Sequence, residues 1–104
     1  MTGNKKIVDV RITFRNTEAT EALSSYASEK VRNCIQKFAH HDTVVEVVLK
    51  VEKNRHIAEA SFHTDNADFV CREDSDDLYK SIDALIDTIG EQMRRHKDRV
   101  KTRH

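Results

Sequence analysis

The chain contains no proline and no tryptophan, and only two glycines and two cysteines among its 104 residues. Each shortage excludes something. A phosphate-cradling loop needs glycines, but Gly3 lies near the terminus and Gly90 falls inside a helical pattern. There is accordingly no GxGxxG, no P-loop and no nucleophile elbow. Cys34 and Cys71 lack CxxC spacing, so they make neither a disulfide scaffold nor a redox pair, and they fit a reduced cytoplasmic protein. No apolar run approaches the ~20 residues of a membrane span, and no hydrophobic stretch follows the basic MTGNKK. Linkers, repeats and low-complexity tracts are also lacking. A chain of this length buries roughly 65% of its unfolded surface, enough for one core. One domain over 1–104 is expected, with 1–6 as a flexible arm and 101–104 as a frayed tail.

Charge is abundant but unevenly placed. Asp, Glu, Lys and Arg make up 35% of the chain, and the formal net charge is zero. Residues 91–104, EQMRRHKDRVKTRH, nevertheless carry six basic and two acidic residues, leaving 12 basic and 16 acidic in residues 1–90. The neutral total is a −4 body joined to a +4 end.

Hydrophobic periodicity gives six elements. In IVDVRITF, Val8, Val10, Ile12 and Phe14 alternate with polar residues, which predicts a half-buried strand. A helix follows from an N-cap at Thr20, with Leu23, Ala27, Val31, Cys34 and Phe38 on one face. VVEVVLKVEK places Val45, Val47, Leu49 and Val51 together on a strand. A turn at Asn54-Arg55 leads to a strand with Ala58, Ala60 and Phe62 on one side. Asp65-Asn66 is a second turn, since both residues tolerate positive φ. A weaker strand pattern covers 67–73. Ser75, Asp76 and Asp77 then cap a long helix whose stripe is Leu78, Ile82, Leu85, Ile89, Met93, His96 and Val100.

The order β-α-β-β-β-α suits a parallel first crossover followed by a meander. Two amphipathic helices and four one-sided strands pack most economically as two layers, an α+β fold with both helices on one face of a four-stranded sheet. The other face would stay wet, carrying Arg11, Thr13, Glu46, Lys50, Glu52, Glu59 and His63.

Catalytic and metal chemistry find little support. Cys34 lies on an apolar stripe and reads as a small buried hydrophobe, and Cys71 has no adjacent basic partner. His40 and His41 point apart unless they lie on a bend. His56 and His63 have opposite parity, and His96 is on the core stripe, so no pair has the helical i, i+4 spacing of a zinc site. Glu73, Asp74, Asp76 and Asp77 complement a helix start and lack the glycine of a calcium loop. We expect no enzyme, no metal and no cofactor.

The basic end remains. At ~100° per residue, Lys80, Arg94 and Lys101 fall opposite Leu78, flanked by Arg95 and Lys97. The first helix adds Lys30, Arg32 and Lys37. With both helices on one side of the sheet, their outer faces would line a shared groove whose distal part is basic, flanked by a tyrosine. Charge alone leaves two readings open, a phosphate backbone or a solvated surface that contacts protein.

Several stretches resemble the ribosome hibernation promoting factor family, which includes the ribosome-associated inhibitor and also bears the name sigma-54 modulation protein. These are TEAL at 20–23, VVLKVEK with His56 and the AEA of Ala58 to Ala60, DDLYKSIDALID at 76–87, and QMRRHKDRVK at 92–101. The resemblance runs over about residues 8–101. It implies a fold like that of a double-stranded RNA-binding domain. It also implies a cytoplasmic protein that binds 16S rRNA of the small ribosomal subunit, in the channel used by messenger RNA and tRNA. Translation would be blocked by occlusion, and ribosomes would pair into inactive dimers under stress or in stationary phase, together with a small ribosome modulation factor. The chain is similar to the short form, without an added dimerisation domain, and the free protein is expected to be a monomer.

Carried over residue by residue, the resemblance assigns Lys30, Arg95, Lys97, Arg99 and Lys101 to RNA contact, and matches Asp77 and Tyr79 to its signature. Ser24, Asn33, Thr88 and Glu91 stand where relatives often carry a cation, with Arg32, Arg72 and Arg94 as neighbouring substitutes. Two alternatives stand beside this reading. A general double-stranded RNA binder would normally have a basic loop where this chain has the acidic EDSDD at 73–77. A protein-interaction module regulating a transcription factor is the other.

Overall fold

The computed structural model describes residues 6–102, with side chains through Arg99. Its elements are β1 (Val8–Arg15), α1 (Glu21–Phe38), β2 (Thr43–Glu52), β3 (Arg55–Thr64), β4 (Ala67–Ser75) and α2 (Leu78–Thr102). The sheet order is β1-β2-β3-β4, with β1 parallel to β2 and the other neighbours antiparallel. Both helices pack on one face, α1 over β1 and α2 over β3 and β4. This is the α+β two-layer arrangement expected from the periodicity.

Local chemistry sets the boundaries. The Thr20 hydroxyl accepts from the Leu23 N–H at 3.2 Å, closing the start of α1. At the start of α2 the Asp77 carboxylate accepts from the Tyr79 N–H at 2.9 Å, while Ser75 belongs to β4. The β3–β4 turn falls at Asp65-Asn66, with φ of 54° and 64°. The β2–β3 turn is one residue nearer the N-terminus than expected. Lys53 and Asn54 are its central residues, with φ of 47° and 69°. Asn54 suits either central position of such a turn. Cross-strand pairing of Glu52 with Arg55 chooses between them, because it keeps Leu49 opposite Ala58 in the core register.

The core fills the space between the layers. Val45, Val47 and Leu49 of β2 and Ala58, Ala60 and Phe62 of β3 face Ala27, Val31 and Ile35 of α1 and Ile82, Leu85, Ile89 and Met93 of α2, all buried. The small residues Ala58 and Ala60 let α2 approach the sheet. Among the described residues, the polar side chains that enter this layer are bonded except at the buried Nδ1 of His56, which has no partner. Ser81 is fully buried, and its hydroxyl donates to the His56 carbonyl at 2.6 Å and lies 2.7 Å from that of Ser75.

The opposite face of the sheet is largely wet, as expected, with one covered patch. Ile57 is 2% exposed there, between its register neighbours Lys50 and Asp74. The Lys50 side chain lies flat and reaches Glu59 at 3.3 Å. At the chain start, Lys6 is tied down rather than loose. Its carbonyl accepts from the Gln36 side chain at 3.0 Å, and the next N–H, of Ile7, donates to Asp42 at 2.9 Å. The rest of the expected arm, and residues 103–104 of the expected frayed tail, lie outside the described residues. α2 continues through Thr102.

Candidate nucleic-acid interface

The two helices run side by side in the same direction. Tyr26 of α1 meets Tyr79 and Asp83 near the start of α2. One to two turns on, the Cys34 thiol donates to the Ile86 carbonyl at 3.6 Å. Phe38, at the end of α1, packs beside Gly90. Their outer faces border an open groove of about 750 Å³. Lys30, Asn33 and Lys37 line it from α1, and Asp87, Gly90, Glu91 and Arg94 from α2, over a floor of Cys34, Phe38 and Ile86. Both walls become more cationic toward the helix C-termini. None of Lys30, Lys37 and Arg94 is held in an ion pair among the described residues. Their charge is therefore available to an anion.

The upper end of the groove is aromatic. The Tyr26 and Tyr79 rings meet edge to face, with centroids 5.0 Å apart and planes at 71°. The Lys30 ammonium sits 5.2 Å from the centre of the Tyr26 ring. The Tyr26 hydroxyl donates to Asp83 at 2.5 Å. That hydrogen bond, with some burial and the carboxylate's charge, raises the phenol's pKa above its ordinary 10.0. The exposed Tyr79 is thus propped by a tyrosine that is itself anchored across the helix pair. Tyr26 and Asp83 did not stand out in the sequence. The signal for Tyr26 is its i, i+4 spacing from Lys30 on the groove side of α1.

The other expected cations whose side chains are described do not line this groove. Arg95 and Arg99 lie on the far flank of α2, where they line a second, smaller concavity with Gln92, His96, Asp68 and Phe69. Arg95 also pairs with Glu91 at 2.8 Å. Lys80 is exposed and paired with Asp76 at 3.3 Å, which lowers the Asp76 pKa. Lys97 is exposed near the end of α2. Arg32 turns toward the sheet and donates to the Val8 carbonyl at 3.4 Å. Arg72 points from the open face of the sheet, away from both helices, and pairs with Glu59 at 3.3 Å. The Lys101 side chain lies outside the described residues. The expected cations thus divide among several surfaces, because consecutive arginines on a helix diverge by ~100° and Arg72 leaves from a strand.

Four histidines gather at the end of the molecule where the helices finish. His40 and His41 do lie on a bend, and both converge on Asp65, at 3.3 and 3.1 Å. His96 approaches the Asp65 carbonyl at 3.2 Å and meets the Phe69 ring edge-on. His63 pairs with Asp68 at 2.7 Å. Burial, the largest influence on Asp65, pushes its pKa up. The His40 N–H and the two imidazoles outweigh it together, and the net direction is down. No metal-type grouping of His, Cys, Asp and Glu occurs among the described residues. Both thiols are buried, and burial pushes Cys34 up and Cys71 up to about 11. Neither is set up as a thiolate. No helix among the described residues is long and apolar enough to cross a membrane.

The chain is thus a two-layer α+β domain of order β-α-β-β-β-α with a cationic groove between parallel helices. Residues 10–101 match the model of the family described as sigma 54 modulation protein / S30EA ribosomal protein, and the chain belongs to that family. The ribosome hibernation promoting factor of Salmonella typhimurium is 38% identical over 94 residues, covering 90% of this chain and 98% of the relative. The N-terminal domain of Thermus thermophilus Protein Y superposes with a TM-score of 0.74 at 25% identity, covering 88% of this chain and 98% of that one. A ribosomal subunit interface protein from Coxiella burnetii shares the fold, with a TM-score of 0.76 at 17% identity and coverage of 86% and 98%.

Proposed function

We propose that this protein is a ribosome hibernation factor. It acts in the cytoplasm on the small ribosomal subunit. It lays the α1–α2 groove against 16S rRNA in the channel used by messenger RNA and tRNA, and blocks translation by occlusion, without catalysing a reaction. In this reading it also favours inactive ribosome dimers under stress or in stationary phase, with a ribosome modulation factor as a further partner. The observation that carries the reading is the groove itself. Lys30, Lys37 and Arg94 converge there without ion-pair partners among the described residues, below an exposed tyrosine. Such an arrangement suits a phosphate backbone with an unpaired base nearby. Kinship with proteins named for ribosome hibernation supports it. The acidic residues 73–77 at the entry to α2 disfavour a general duplex binder.

The test is sedimentation with purified small and large subunits and whole ribosomes at two salt concentrations. Co-migration with the small subunit that is lost at high salt is the expected result, with a faster peak if ribosomes pair. Protein left at the top of the gradient at both salts would overturn the proposal and favour a protein-interaction role.

A further inference from the structure

We infer that the outer edge of β4 is a self-pairing interface, on which a second copy of this chain adds antiparallel to itself about a two-fold axis at Val70. This does not depend on the ribosome reading, and it departs from the monomer expected above.

β4 is the last strand of the sheet, and among the described residues no strand pairs with its outer edge. Edge strands are usually blunted by proline, lysine or a bulge. β4 has none of these, and its register with β3 runs unbroken from Ala67 to Ser75. The tight Asp65-Asn66 turn is closed by the pair Thr64 and Ala67, which exchange hydrogen bonds in such a hairpin. Alternation along the ladder then gives Phe69 and Cys71 to β3. Asp68, Val70 and Arg72 are left with their backbone N–H and C=O groups pointing outward.

The side chains of the same three residues rise from the open face of the sheet. Val70 is 73% exposed, which is rare for a large aliphatic residue in a strand centre. Asp68 and Arg72 are also well exposed, and their present partners, His63 and Glu59, are surface contacts of small worth. Outward-pointing residues must pair with one another, which leaves few registers. Centring on Asp68 or Arg72 sets like charges face to face. Centring on Phe69 or Cys71 sets Val70 against a charge. Centring on Val70 places Val70 against Val70 of the partner subunit, and Asp68 against the partner's Arg72, twice by symmetry. Only this register is complementary at all three positions.

The result would be a continuous sheet built from two four-stranded sheets, with both helical layers on one side. The α1–α2 groove lies on the far side of α2 from β4, so both copies would keep it open.

Sedimentation velocity on the full chain from micromolar to millimolar concentration tests this, with circular dichroism confirming each fold. The wild type should show a reversible monomer–dimer equilibrium. Val70→Lys, at an exposed position, should remain a monomer throughout. Asp68→Arg or Arg72→Asp alone should each weaken the dimer by about tenfold or more, since two attractive cross-strand pairs become repulsive. The double variant exchanges both charges and should recover most of the loss. A wild type that stays monomeric, a Val70→Lys that dimerises like wild type, or a double variant no better than the singles would overturn the inference.

Discussion

Tyr26 on α1 and Asp83 on α2 are joined by a 2.5 Å hydrogen bond, a direct polar link between the two helices that border the groove. The phenol is the donor, so its proton is held. A raised pKa in the folded protein means that this link stabilises the fold below pH 10.0. The contribution is lost as pH rises through the higher folded value. Phenolate absorbance followed against pH should show one tyrosine ionising late, and Asp83→Asn should return it toward the ordinary range. Tyr26→Phe should lower stability at neutral pH and should also disturb Tyr79, which rests on the same ring.

Gly90 is not required by its backbone. An added Cβ would sit 3.6 Å from the Cys34 sulfur, an ordinary contact, and no positive φ is involved. Gly90→Ala should therefore stabilise the protein by roughly 0.5–1 kcal/mol through helix propensity, raising Tm by a few degrees in a thermal melt.

Ser81→Ala should be costly for a change so small. It removes the hydroxyl's bonds to the part-buried His56 carbonyl and to Ser75, at roughly 1–2 kcal/mol in urea denaturation. An exposed serine such as Ser61 replaced by alanine should shift the midpoint little.

Asp65 has a folded pKa below its ordinary 3.8, so its contribution is fully present above that value and is lost as pH falls through the lower one. Asp65→Asn preserves tolerance of the positive φ there and removes the charge. It should destabilise by about 1 kcal/mol at neutral pH. The gap to wild type in urea midpoint should close as pH falls below 3.8.

Binding to small ribosomal subunits should weaken with salt. Replacing Lys30, Lys37 and Arg94 with Gln should flatten the log–log slope by roughly 0.7–0.9 per residue in contact. Arg72→Gln, on the opposite face, should leave the slope unchanged. Equal effects from both would place the interface elsewhere than the groove.

Much of the fold could be read from the sequence because its patterns are local. The alternation in β1 and β2 and the stripe from Leu78 to Met93 each report a single buried face. What escaped depends on pairing. The turn at Lys53-Asn54 is chosen by cross-strand register, and Ile57 is covered by neighbours on two other strands. The candidate site divides the same way. Lys30, Lys37 and Arg94 could be assigned to one groove from helical angles once the helices were placed together. The same angles set Arg32 apart, ~200° around α1 from Lys30, whereas the weak alternation of β4 left Arg72 unplaced. Tyr26 pairing with Asp83 joins positions 57 residues apart, which no local pattern encodes.

Because α1 and α2 run in the same direction, their macrodipoles add instead of cancelling. Each helix C-terminus carries roughly half a negative charge, and α1 ends beside Lys37 and Arg94. Part of the cationic charge in the groove is taken up locally, neutralising backbone carbonyls. The field an incoming polyanion meets is weaker than a count of lysines and arginines suggests. Each remaining cation then matters more, and its removal should be felt more sharply than in a protein with a surplus of positive charge.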